Sequence, residues 1–137
     1  MLRLKVKIER VDGFKPIYVL AIAGSGFVGI EPEILMPIHI ARDLNLDEIA
    51  QPEVYTKISG DGREIELLKY RNAVKVYIVT EDRIEGPVVS SVLVSPRARY
   101  VLLNDKLVSK FRIVLLDFGE GIWCFRDELG RKERRSY

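Results

Sequence analysis

Strand signal follows strand signal along this chain, each cut short by a turn, and the longest helical pattern, PIHIARDLNL at 37–46, covers ten residues. Such a chain has no crossover helices with which to build a parallel α/β sheet. It must bury its apolar residues by closing or stacking short strands, which predicts a mainly β barrel or sandwich. The opening MLRLKVKIER alternates Leu2, Leu4, Val6 and Ile8 with charged residues, the pattern of a half-buried strand. Ile17 to Ala23 is nearly continuous in apolar residues and predicts a strand buried on both faces. Residues 54–59 and 63–70 flank Gly60-Asp61-Gly62, where the glycines tolerate positive φ, so a two-stranded ribbon is predicted there. Further strands are expected at 74–79, 87–94, 99–103, 112–118 and 121–125, with a short helical excursion at 105–111.

A length of 137 residues with 47% hydrophobic composition supports one folded domain. The expected division is a β-barrel domain over 1–126 and a charged, flexible tail over 127–137, DELGRKERRSY. With 22 Lys plus Arg against 20 Asp plus Glu, the net charge of +2 gives no strong field for nucleic acid, and neither nucleic acid nor membrane is expected as a partner. No apolar run of membrane-spanning length is present, so a soluble, cytoplasmic protein is expected. Abundant charged and β-branched residues with a single glutamine, Gln51, suggest a thermophilic source. Cys124 and His39 are each the only residue of their kind, which leaves too few parts for a zinc cluster or a Ser-His-Asp triad. No metal and no cofactor are expected.

GSGFVG, at 24–29, fits the G-x-G-x-x-G spacing of a dinucleotide-binding turn. That turn works by launching a helix whose free N–H groups hold a pyrophosphate. Here Pro32 and Pro37 follow closely, strands follow strands, and no such helix fits. The glycines are better read as a bent loop between two strands.

Read as IAGSGFVG, residues 22–29 resemble the active-site loop of retroviral-type (retropepsin-like) aspartic peptidases, in which apolar residues precede Asp-Thr-Gly or Asp-Ser-Gly. Phe27 and Gly29 match the family's Phe-x-Gly continuation, and Met36-Pro37 with Ile40 to Leu46 looks like its Leu-Pro segment and short helix. The ribbon from Ile58 to Tyr70 is similar to the family's flap, which closes over a bound peptide, with Ile58, Ser59, Gly60, Asp61 and Gly62 as its flap and groove positions. SSVLVSP (90–96) and RYVLLNDKLVSKFRIVLLDF (99–118) look like the closing half of the fold. The resemblance covers about residues 1–126. It implies an all-β fold: a closed, retropepsin-like acid-protease barrel with a flap hairpin and one or two short helices, assembling as a homodimer.

The chain departs from the family at two places. Asn104 stands where a glycine usually follows the Leu-Leu pair, a position at which asparagine survives by accepting a left-handed backbone. Gly24 stands where the family places its catalytic aspartate, so the loop Gly24, Ser25, Gly26 is degenerate and no catalytic residue remains. In the family two such carboxylates share a proton across the dimer axis. Each acid or base role supplies on the order of 10²–10⁴ in rate. Ser25 has no activating base and keeps only the loop-bracing role the resemblance implies. Asp12 and Asp61 read as solvated turn residues, and so do Glu31 and Glu33, which lie nearest the loop and are the residues left to consider as a substitute acid. The resemblance therefore implies a catalytically inactive homodimer that binds extended peptide or protein in the groove under the flap. The alternative is an aspartic endopeptidase whose native Asp is replaced by Gly24, or one that pairs with an Asp-bearing homologue.

Overall fold

The computed structural model describes residues 2–58 and 61–137, and it is mostly β, with a closed six-strand barrel and two short helices. The barrel strands are β1 (Leu2–Arg10), β2 (Ile17–Ala23), β3 (Glu33–Pro37), β5 (Glu64–Val79), β6 (Ile84–Ser95) and β7 (Val101–Leu103). They run in the order β1-β2-β7-β3-β6-β5, and β5 returns to pair with β1 from Val6↔Ile78 to Arg10↔Val74, which closes the sheet. Closure removes the free edges that an open sheet exposes. β4 (Glu53–Ile58) lies outside the barrel, antiparallel to the first half of β5.

Alternation on β1 fills the interior as its sequence predicts. Leu2, Leu4, Val6 and Ile8 are buried in one core cluster with Val74, Val76 and Ile78 of β5. Helix α1 (Ile38–Leu44) adds Ile40, Ala41 and Leu44 to the core and ends at Asn45, whose left-handed φ of 50° stops the helix. Helix α2 (Asp105–Lys110) adds Leu107. A second, three-stranded sheet is formed by β8 (Ile113–Asp117), β9 (Ile122–Phe125) and β10 (Arg134–Arg135), with Trp123, Cys124 and Phe125 buried. The charged segment at 127–137 thus contributes a strand. Arg134 pairs opposite Trp123, and the N–H of Tyr137 donates to the carbonyl of Arg3 at 3.1 Å.

Several local expectations are corrected. Residues 33–37, bracketed by prolines and opened by a glutamate, form β3, a strand that flanking breakers conceal. Residues 64–79 make one strand, since Arg71-Asn72-Ala73 is a bulge within it, with Asn72 at φ 46°, and does not end it. β2 is buried on both faces only near its end. Tyr18 and Leu20 are 56% and 52% exposed on the outer side of the barrel, which no element covers among the described residues. Asn104 is not left-handed: its φ is −79°, and it caps α2 by accepting a hydrogen bond from Leu107 N–H at 2.9 Å.

Candidate functional site

β7 lies between β2 and β3, parallel to the first and antiparallel to the second, so the connection at 24–32 has to pass over its end. Glycine provides the bends. Gly24 and Gly26 have φ of 74° and 88°, and both are exposed with Ser25. An added Cβ at position 24 would meet nothing within 4 Å. The far half of the loop is tied to the start of α2: Asp105 N–H donates to Phe27 O at 3.1 Å, and Gly29 N–H donates to Asp105 Oδ1 at 3.0 Å.

Opposite this loop stands the ribbon of β4 and β5. The register pairs Tyr55 with Leu67 and Lys57 with Ile65, and the two elements enclose a cleft of about 380 Å³. One side is lined by Ser25, Gly26, Phe27 and Val28, the other by Lys57, Ile58, Ile65 and Leu67. Its remaining lining residues, Leu35, Ser95 and Leu102, come from β3, β6 and β7. Lys57 bridges the mouth. Its Nζ donates to Val28 O at 2.8 Å, lies 3.2 Å from Glu33 Oε1 and sits 4.8 Å from the Phe27 ring centroid.

Below the loop is a buried polar cluster. The Glu33 side chain is 1% exposed; Lys69 Nζ stands 3.0 Å from its Oε2 and 2.6 Å from Glu31 Oε1. Asn104, fully buried, donates through Nδ2 to Glu31 O at 2.8 Å and accepts through Oδ1 from Glu33 N–H at 3.0 Å. The hydrogen bond from Lys69 lowers the Glu31 pKa below the ordinary carboxylate value against its partial desolvation. Burial works against the Lys69 ammonium, but its bonds to Glu31 and Glu33 prevail and raise its pKa. Gly29 is required by this packing, because a Cβ there would lie 2.5 Å from Glu33 Oε1 and 2.8 Å from Asn104 Nδ2.

Ser25, Gly26 and Ile58 line the cleft, and Gly24 sits in the same loop. Asp61 and Gly62 are at the ribbon turn, where Asp61 pairs with Arg63 at 3.2 Å. Ser59 and Gly60 lie outside the described residues. Asp12 is held by Arg10 at 2.6 Å, and that hydrogen bond lowers its pKa. Glu31 and Glu33 point into the lysine cluster and neither lines the cleft. Sequence reasoning missed Lys57 and the apolar residues Ile65 and Leu67; period-two alternation across the predicted ribbon was the signal that marks its inner face. Among the described residues no cluster of His, Cys, Asp or Glu could hold a metal ion, and no helix is long and apolar enough to cross a membrane. No family model matches the chain, and no curated protein matches it.

Proposed function

We propose that this chain is a catalytically inactive, aspartic-peptidase-like module that binds extended, apolar-rich peptide between the β4–β5 ribbon and the glycine loop. The observation that carries this reading is the lining of the cleft: among the described residues it is apolar apart from two serines and Lys57, and these include no carboxylate, histidine or cysteine. Apolar pockets with a few polar groups hold side chains. A peptide can also add its backbone to a strand edge, and β4 is the terminal strand of its sheet. Proton transfer to water and to a leaving amine needs a titratable group within reach, and the loop offers a glycine at the family's aspartate position. The ribbon plays the part of the flap, and two copies pair as a homodimer that brings the two loops together.

The test is calorimetric titration with apolar-rich extended peptides, run beside hydrolysis of denatured casein at acidic pH. Binding without turnover is expected, with binding abolished by Leu67→Asp in the cleft wall. Turnover by the unmodified chain, or the absence of any peptide binding, overturns the reading. The endopeptidase alternative draws support from the open space around position 24, and Gly24→Asp tests it directly. Hydrolysis gained by that variant is the outcome expected of two loops that meet at a dimer axis.

A further inference from the structure

The near balance of charge over the whole chain conceals a segregated surface. On β1 the even-numbered residues fill the barrel, so Arg3, Lys5 and Lys7 project outward. The register puts Lys7 between Tyr18 of β2 and Tyr77 of β5, and puts Lys75 of β5 opposite Glu9. None of these four cations forms an ion pair among the described residues, whereas Arg10, Lys57, Lys69, Arg83 and Arg134 all do. The unpaired charges are interleaved with aromatic rings. Lys7 Nζ is 4.8 Å from the Tyr77 ring centroid, and Lys5 Nζ is 5.8 Å from that of Tyr18, itself 56% exposed. The two tyrosines are separated by two strand spacings, about 10 Å.

The acidic residue of this face is partly engaged: Glu9 accepts a hydrogen bond from the Tyr77 hydroxyl at 2.8 Å. The C-terminal segment meets the Arg3 end of β1, where Arg135 and Tyr137 line a cavity with Glu81, Asp82 and Glu133, so that end is mixed in charge. Ser136 Oγ accepts from Arg3 N–H at 2.8 Å, which sets exposed Arg135 and Tyr137 beside the Arg3 end of β1. No residue of this face lines the cleft.

We propose that the outer face of β2, β1 and β5 binds single-stranded nucleic acid, with Arg3, Lys5, Lys7 and Lys75 contacting phosphates while the exposed Tyr18 stacks on a base; Tyr77 is half-buried beneath Lys7. Charge complementarity chooses a polyanion. The exposed Tyr18 ring chooses an unpaired strand, because a duplex hides the base faces that an aromatic side chain stacks on. The face needs no ligand in the cleft.

The experiment is fluorescence anisotropy on the full chain with labelled oligouridylate and oligothymidylate of roughly twelve nucleotides, inside the range of about 4–16 nucleotides that single-strand-binding OB-folds occupy. It is repeated with a duplex of equal length and across a salt series. Single strands are expected to bind more tightly than the duplex. The Lys5→Ala/Lys7→Ala variant is expected to flatten the log-affinity against log-salt slope by about 1.4, since each phosphate that a lysine neutralises on a single strand contributes about 0.7. Tyr18→Ala weakens binding roughly tenfold, in keeping with the removal of one stacking platform. Should Tyr18→Ala fail to fold, Tyr18→Thr keeps a strand-forming residue and reads the same effect. Lys106→Ala/Lys110→Ala, on α2, leaves affinity unchanged. The proposal is overturned if no strand binds at low salt, if duplex binds as tightly as single strand, or if the α2 variant weakens binding as much as the β1 variant. Binding to phosphatidylserine vesicles but to neither oligonucleotide overturns it too.

Discussion

Lys69 Nζ is buried 3.0 Å from Glu33 Oε2, and this ion pair joins the inner side of the ribbon to the strand that follows the glycine loop. Both groups have left water, so the geometry has to return what desolvation costs. It does so by sharing. Lys69 also reaches Glu31, Glu33 also reaches Lys57, and Asn104 fixes the backbone on which both acids sit.

Removing one partner leaves a buried charge short of its counterion. Lys69→Met is expected to destabilise the fold by about 3 kcal/mol, read as a lower midpoint in urea unfolding. The double variant Lys69→Met/Glu33→Leu removes both charges and is expected to recover much of that stability. A single variant within about 1 kcal/mol of the parent contradicts this coupling.

Gly29 and Gly24 are five residues apart and respond oppositely to a methyl group. Gly29→Ala drives a Cβ against Glu33 and Asn104, so it is expected to cost about 2 kcal/mol by overpacking. Gly24→Ala meets open space and carries only the left-handed backbone penalty, about 1 kcal/mol. Thermal unfolding of the two variants side by side checks the order. Gly24→Asp shares the smaller cost, since aspartate tolerates that region better than alanine.

Glu128 anchors the C-terminal strand and gives a pH signature. Its hydrogen bond with Arg134 holds the carboxyl down at about 2, against burial. The folded pKa is depressed, so the stabilisation is present above the unfolded value near 4.5 and is lost as pH falls toward 2. Glu128→Gln is therefore expected to be less stable than the parent by on the order of 2 kcal/mol at pH 7. The difference is expected to vanish near pH 2. A gap that persists unchanged at low pH assigns the effect to packing and not to charge.

How much of this was legible in the sequence follows from which signals are local. β1 and the ribbon were readable because alternation and a Gly-Asp-Gly turn are short-range patterns. β3 was not, since its prolines read as breakers and Glu33 reads as a surface residue until Lys69 is seen beside it. Those two residues are 36 positions apart, and no periodicity reports a long-range buried ion pair. Asn104 shows the same limit. A family position that usually holds glycine suggested a backbone requirement, whereas the side chain serves as a hub of hydrogen bonds at the head of α2. Likewise Arg134 reads as one more tail charge until it stacks over Phe125 and pairs with Glu128 and Asp82.

Lys57 reaches across the cleft mouth, and replacing it separates motion from stability. The side chain links β4 to Val28 O and to Glu33, which keeps Lys69 as a partner when Lys57 is removed. Lys57→Met is therefore expected to spare most of the global stability while freeing the ribbon from the loop. Native-state hydrogen exchange locates the effect: amides of β4 and of the first half of β5 are expected to exchange about tenfold faster, equivalent to about 1.4 kcal/mol of local opening. Amides of β1 and of the second half of β5, held by barrel closure, keep their protection. Uniform acceleration across all strands makes Lys57 a general stabiliser and removes the ribbon as a separately moving element.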